Sequence, residues 1–323
     1  MCAALRFCVG LLVIIGVAEQ VVAQSPRNLC LAVRAGIAVR TATVVGDVPP
    51  PIASPKVREL VAQILDERIP AAKREELIRR NPGLAGDLIG GLTAELTPGT
   101  AEEYRRIPWI LGIALGAGKG NDSAIVRSVL EVALPEPNQP LHDWRAAAIG
   151  GGLISAISQP GRWPRERMHE ILLDQKALQL RWQMALKEAS KVVEDPKEAL
   201  RTRYDAMRML GLGTWDEYGP QLARYLQAGI PFELQMGAIS ALADIDHAAA
   251  VTSLINGLVH CSEMNRPLAI DGLLRGDVRR KSLIEGLEQG PVRGEWLTSG
   301  QQGVLLQITD EAWRERARVF FKK

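Results

Sequence analysis

The chain has 323 residues, of which 47% are hydrophobic, 5% aromatic and 24% charged, and its formal net charge is +2. This length is enough for a large core or for two ordinary domains, and the near balance of charge excludes the strong basicity of a typical nucleic-acid-binding protein. Alanine, leucine, isoleucine and glutamate recur throughout, a composition that predicts an all-α fold.

The N-terminus has the pattern of a secretion signal. A positive charge at Arg6 precedes an apolar run over residues 7–18, and Val21 and Ala23 precede a predicted cleavage after Ala23. The apolar run is shorter than the about 20 residues that span a membrane. We therefore predict a signal peptide over residues 1–23 and an exported protein in the periplasm or another extracytoplasmic space. Only an uncleaved signal would attach the chain to a membrane.

Residues 24–53 end in three consecutive prolines and contain one lone alternating segment, so we predict an extended linker. The helical region is predicted over residues 54–323, with Ser54 as the first N-cap and a proline at the first helical position. Pro108 is expected to kink a helix. The segment LDQKALQLRWQMALKEASKVVEDP is expected to form the longest helix.

A repeat is visible in the C-terminal third. Ala206, Ala238 and Ala269 fall 32 and 31 residues apart, and the helices between them align through their own leucines. A period near thirty residues with two helices per unit is typical of an α-solenoid. We therefore predict an α-solenoid of HEAT-like helix pairs, clearest over residues 196–290 and continuous rather than split into two domains. Leu242 and Leu258 recur at this period and are predicted to lie in the core between repeats.

The segment FELQMGAISALADIDHAAAVTSLINGLVHCSEMNRPLAIDGLLRGDVRRKSLIEGLEQGPV resembles the HEAT-like repeat region of planctomycete-type haem-binding proteins, also described as putative membrane-bound dehydrogenases. The segments DWRAAAIGGGLISAI and LTSGQQGVLLQITDEAWRERARVFF are similar to other parts of the same region. The resemblance covers about residues 56–323. It implies a helical scaffold, an exported setting, and a partner that is a c-type cytochrome or dehydrogenase chain. The β-propeller and cytochrome modules of that family have no counterpart in this sequence.

Motifs for cofactors or catalysis are weak. There is no Cys-x-x-Cys-His motif, so we expect no covalently bound haem and no redox activity of the chain's own. GAGKG, residues 116–120, lacks the spacing and the Ser or Thr of a phosphate-binding loop, and it is interpreted as a helix end followed by a turn. The four histidines lack the spacing of metal ligands. Asp246 is interpreted as a helix N-cap. The sequence therefore predicts no catalytic, cofactor-binding or metal-binding residue.

A partner-binding surface is predicted on the second helices of the repeats. Arg224, Asn256 and Glu285 occupy equivalent positions, and their mixed charge fits a protein partner better than a nucleic acid. Trp215 is a further candidate because aromatic side chains often anchor protein interfaces.

These patterns predict an exported, non-enzymatic HEAT-repeat scaffold that binds a protein partner, in association with an extracytoplasmic redox assembly. An enzyme whose site is assembled across helical repeats, as in some lyases and glycosylases, is the alternative. A third possibility is that the chain is a fragment of a larger redox protein. The sequence does not identify the partner, a ligand or the oligomeric state.

Overall fold

Every regular element in residues 54–158 and 163–321, the part of the chain that the computed structural model describes, is a helix. The all-α prediction is therefore confirmed for these residues. The predicted signal peptide and linker lie outside them. No helix in the described ranges is both long and apolar enough to cross a membrane.

The first half of this region contains eight α-helices and one π-helical segment. Their bounds are α1 Pro55–Leu65, α2 Ala71–Arg80, α3 Ala85–Thr93, α4 Ala101–Gly120, α5 Ser123–Ala133, α6 Asp143–Ala146, the π-helical segment Ala147–Ile154, α7 Ser155–Ile157 and α8 Pro164–Leu172.

The second half continues with α9 Lys176–Glu194, α10 Leu200–Leu210, α11 Trp215–Ala223, α12 Phe232–Asp244, α13 Ala248–Gly257, α14 Asn265–Leu273, α15 Asp277–Gln289, α16 Ser299–Leu305 and α17 Glu311–Phe321. Short 3-10 turns follow several of these helices, including Arg224–Leu226 after α11 and Leu258–His260 after α13.

Contacts between helices often skip one element along the chain. Helix α10 contacts α12 and α12 contacts α14, while α11 contacts α13, α13 contacts α15 and α15 contacts α17. Neighbours along the chain also touch, as α11 does α12 and α12 does α13. The C-terminal helices thus form two rows, which we call the first-helix row (α10, α12, α14) and the second-helix row (α11, α13, α15, α17).

Helix ends follow local capping chemistry. The Ser54 hydroxyl accepts a hydrogen bond of 3.3 Å from the Val57 amide, which confirms the predicted first N-cap. Helix α4 ends at Gly120 and is followed by Asn121 in the left-handed region, with φ 53°. The GAGKG segment is therefore a helix end and turn, as predicted.

Two local predictions were wrong. The N-cap of α13 is His247 rather than Asp246, because the His247 ring nitrogen accepts from the Ala249 amide at 3.2 Å. Among the described residues the longest helix is α4, with 20 residues, rather than α9, with 19. Pro108 lies inside α4, and the helix continues on both sides of it. A proline removes one amide donor without breaking a helix whose neighbours hold it in place.

Small residues bring neighbouring helices close together. A β-carbon on Gly272 would lie 2.8 Å from the β-carbon of Ala243, and one on Gly257 would lie 2.9 Å from the β-carbon of Leu226. Both distances are too short for ordinary packing, so a larger residue at either glycine would force the helices apart. Leu242 and Leu258 are fully buried, which confirms the prediction that they belong to the core.

Candidate functional site

Buried charged side chains connect the first-helix row. Asp244, the last residue of α12, has a side chain with 0% exposure and contacts two arginines. Arg208 on α10 places Nη1 2.9 Å from Asp244 Oδ2, and Arg275, just after α14, contacts Oδ1. Arg275 Nη1 also donates to the Ala243 carbonyl at 3.1 Å. One carboxylate therefore links three successive elements of the row.

A third arginine lies beside this cluster. Arg279 on α15 is 2% exposed, and it donates to the carbonyls of Gly272 at 3.2 Å and Ile245 at 2.5 Å. Its guanidinium carbon lies 4.9 Å from the centroid of the Trp163 ring, over which the Arg275 guanidinium also lies at 5.3 Å. Burial lowers the pKa of Arg279 to about 10. Carbonyl oxygens and an aromatic face thus stabilise a buried positive charge.

Asp205 on α10 is a buried carboxylate whose negative charge is stabilised by few neighbouring groups. Asp205 is 3% exposed, and its Oδ2 has no hydrogen-bond partner among the described residues. Arg201 forms an ion pair with Asp205, but its Nε lies 4.0 Å from Oδ2, beyond hydrogen-bond range. Burial raises the pKa of Asp205 to about 7, against the attraction of Arg201 and Arg208. Near neutral pH a fraction of the folded molecules therefore carries this side chain protonated.

The π-helical segment lies directly against Asp205. A β-carbon on Gly150 would lie 1.9 Å from the Asp205 carbonyl oxygen, and one on Gly151 would lie 2.6 Å from Oδ1. On the other side of the segment, a β-carbon on Gly152 would lie 2.5 Å from the β-carbon of Ala114 on α4. Glycine is therefore required for α4, the π-helical segment and α10 to approach this closely. Helical segments of this kind occur frequently at functional sites.

Asp143, Glu198 and Tyr104 belong to the same electrostatic environment as Asp205. Tyr104 on α4 is 51% exposed. Partial burial, followed by the interaction with Asp143 at the start of α6, raises the pKa of Tyr104 to about 12. Burial and the negative charge of Asp143 also raise the pKa of Glu198. Asp143 in turn contributes to the raised pKa of Asp205, so these carboxylates share one electrostatic environment.

The predicted partner-binding residues lie elsewhere, on the second-helix row. Arg224, Asn256 and Glu285 are exposed and stand on or directly after α11, α13 and α15, which contact one another in that order. Arg224 Nη2 lies 2.6 Å from Glu194 Oε1. The Trp215 ring is partly buried and stacks on the His247 ring, with centroids 5.6 Å apart and planes 3° apart. Trp215 therefore joins α11 to α13 within the chain.

The described residues were also compared with the requirements of a metal site and of a ligand pocket. No three His, Cys, Asp or Glu side chains in residues 54–158 and 163–321 are placed to hold a metal ion. Two shallow depressions lie on the surface, one beside Glu59 and Asp66 and one beside Arg165 and His169. Neither includes the cluster around Asp205 and Asp244.

The buried cluster was missed from sequence, because the only acidic residue interpreted in this segment was Asp246, as a helix N-cap. The available signal was a charged residue inside an otherwise apolar helical pattern, as in DAMRML around Arg208 and SALAD before Ile245. A buried position for such a residue requires a partner of opposite charge, but sequence does not say which.

No family model matches the chain, and neither a curated protein nor a solved structure matches it. Its function must therefore be inferred from the arrangement of its own residues.

Proposed function

We propose that the chain is an α-solenoid of HEAT-like helix pairs and that it acts as a protein-interaction scaffold. The observation that carries the proposal is the regular alternation of contacts, in which each helix of a row touches the next helix of the same row. The sequence period of 32 and 31 residues at Ala206, Ala238 and Ala269 agrees with this alternation, since the three alanines stand on α10, α12 and α14.

Rigid spacing between repeats supports the scaffold role. The Arg208–Asp244–Arg275 cluster joins three elements of the first-helix row, and the Trp215–His247 stack joins two of the second. A buried ion pair contributes little to net stability, but it can favour one packing arrangement of the helices over others. A surface built on repeats that are held in register is preorganised, which lowers the conformational entropy lost on binding.

We place the partner-binding surface on the second-helix row, at Arg224, Asn256 and Glu285. These exposed side chains are equivalent in the repeat and carry different charges, a pattern that suits a protein partner. The N-terminal sequence supports an exported location. The resemblance described above suggests that the partner carries haem, as a separate c-type cytochrome or dehydrogenase chain.

Capture from the native extracytoplasmic fraction tests this proposal. The tagged full-length chain should retain a defined partner whose absorption spectrum shows haem. The double variant R224E/E285K should reduce retention by about tenfold or more, because it reverses two charges of the surface. The control variant R58E/E131K makes the same charge changes at exposed residues of α1 and α5, and it should retain the partner normally. Equal retention by both variants would rule out this surface, and recovery of no specific partner would rule out the scaffold function.

A further inference from the structure

Large apolar side chains are exposed along one edge of the first-helix row at a constant interval in the sequence. Leu200 is the first residue of α10, Phe232 is the first of α12 and Met264 directly precedes α14. They are 41%, 36% and 65% exposed. Trp296, before α16, is partly exposed and follows Met264 by the same 32 residues that separate the other members. We call these four residues the apolar ridge.

Contacts between neighbouring helix starts place the later members of the ridge side by side. The side chain of Asn265, next to Met264, donates a hydrogen bond of 3.1 Å to the Phe232 carbonyl. Arg266, one residue further along α14, lies over the Trp296 ring, with 4.7 Å between the guanidinium carbon and the ring centroid. The start of α14 therefore lies between the start of α12 and the segment that leads into α16.

Helices α10 and α12 run in the same direction, so their first residues also lie at one edge. A β-carbon on Gly237 in α12 would lie 3.0 Å from Tyr204 Cδ2 near the start of α10. A β-carbon on Gly211, just after α10, would lie 2.8 Å from the α-carbon of Ala241 near the end of α12. The two helices are thus aligned start to start, and the apolar ridge begins at α10.

Carboxylates without an ion pair flank the middle of the apolar ridge. Glu233 follows the ridge residue of α12, and Glu263 precedes that of α14. Neither forms an ion pair with a described residue. At the α10 end, Lys197 and Glu198 carry opposite charges. The charges that lack an ion pair along the ridge therefore include more carboxylates than ammonium groups.

The arginines near the apolar ridge already have partners in the chain. Arg266 donates to two backbone carbonyls at 3.2 and 2.9 Å. Arg293 Nη1 lies 3.7 Å from Glu295 Oε1, and Arg201 Nε lies 4.0 Å from Asp205 Oδ2. Charge complementarity at the middle of the ridge therefore favours a partner segment that carries positive charge.

The spacing of the apolar ridge matches the repeat of an α-helix. Packed helices lie about 8–10 Å apart, so successive ridge residues are separated by about that distance. Residues seven positions apart lie on one side of a helix and about 10.5 Å apart along its axis. Residues on one face of an extended strand lie only about 6.6–6.8 Å apart, which does not match the ridge. A helix of about 20 residues, about 30 Å long, would cover all four members.

We propose that the apolar ridge binds an amphipathic α-helix of a partner protein, with apolar residues every seven positions and lysine or arginine beside them. For its biological role the proposal rests on the scaffold function given above, and it specifies the chemistry of the partner segment. The apolar side chains of that helix would pack against the ridge, while its cations lie beside Glu233 and Glu263. This surface belongs to the first-helix row, so it is separate from the one placed on the second-helix row.

Binding of a synthetic helical peptide to the purified full-length chain tests the apolar ridge directly. The probe is fluorescein-labelled, about 21 residues long, with leucine at heptad positions a and d and lysine at e and g. The chain's formal net charge of +2 gives no overall attraction for a cationic probe. Fluorescence anisotropy should show saturable binding. A peptide with the same residues in an order without heptad periodicity should bind at least about tenfold more weakly.

Double variants with matched controls locate the apolar contact. F232S/M264S should raise the Kd of the probe by about tenfold or more, because it removes the two central side chains of the ridge. L180S/V278S removes exposed apolar side chains of α9 and α15 and should leave the Kd within about twofold. Circular dichroism should show that the variants remain folded.

A second pair of variants tests the charges. E233Q/E263Q should raise the Kd of the lysine probe by about threefold to tenfold, because it removes the two carboxylates beside the ridge. E75Q/E131Q removes the same number of charges at exposed positions of α2 and α5 and should leave the Kd within about twofold.

The ridge proposal is overturned if the probe does not bind, or if the ridge and control variants bind it equally. Sedimentation of the chain alone provides a further check. A wild-type dimer that F232S/M264S converts to a monomer would show that a second copy covers the ridge, and it would overturn the proposed partner helix. If the probe binds the ridge while capture recovers no native partner, the scaffold function fails and the helix-binding ridge stands. If capture succeeds but probe binding does not depend on the ridge, only the ridge proposal fails.

Discussion

Replacing Asp205 with asparagine should stabilise the protein at neutral and alkaline pH but not in acid. The carboxyl group is buried, Oδ2 has no hydrogen-bond donor among the described residues, and burial raises its pKa from 3.8 to about 7. The folded state therefore holds the proton of Asp205 more tightly than the unfolded state does. Asparagine has nearly the same shape and carries no charge at any pH.

The raised pKa determines the sign and the size of the effect. Between the unfolded value of 3.8 and the folded value of about 7, the folded protein binds more protons than the unfolded chain, so stability falls as pH rises. A difference of about three pKa units corresponds to about 4 kcal/mol at 1.36 kcal/mol per unit. The contribution is fully present below pH 3.8 and is lost once the pH exceeds about 7. At about pH 8 the D205N variant should therefore regain most of the stability that the wild type loses through ionisation of Asp205.

Urea unfolding at several pH values between about 4 and 8 measures the effect. The free energy of unfolding of D205N should exceed that of the wild type by up to about 4 kcal/mol at the alkaline end, and the two should converge in acid. The variant D174N, at an exposed turn residue, should follow the wild type throughout. Parallel pH profiles for D205N and the wild type would refute the claim that Asp205 ionises in a buried, unsupported environment.

Four further outcomes are expected. D244A should lower the free energy of unfolding by about 3–5 kcal/mol, because it removes the carboxylate that pairs with the buried Arg208; a loss under about 1 kcal/mol would mean that the cluster is not formed. G150A should destabilise the protein by about 1–3 kcal/mol through its clash with the α10 backbone, whereas G116A, in open space on α4, should be neutral or slightly stabilising. Truncation of the fully buried Leu242 or Leu258 to alanine should lose about 2–5 kcal/mol each, as chemical denaturation would show, and much smaller losses at both would contradict their place in the core. N-terminal sequencing of the native protein should show a chain that lacks about its first 23 residues, and an intact start would disprove the signal peptide.

The helical class of the fold and several helix ends follow from interactions between residues that are close in sequence, which is why they could be predicted. Ser54 before Pro55 caps the first helix because a hydroxyl acceptor and a proline without an amide donor both suit that position. The end of α4 at Gly120 follows from the Asn121-Asp122 pair, which reverses the chain and starts the next helix. The burial of Leu242 and Leu258 follows from a repeat that is visible in the residues themselves.

The pairing of buried charges could not be predicted in the same way, because it depends on which helices meet. Asp244 lies 36 residues after Arg208 and 31 before Arg275, and no local pattern indicates that the three side chains share one site. The same holds for Asp205, whose pKa is raised chiefly by burial beneath helices that are distant in sequence, including the glycine-rich π-helical segment. Local sequence therefore determined the helices and their apolar faces, whereas desolvation and charge pairing are set by contacts between distant helices, which only the tertiary structure decides.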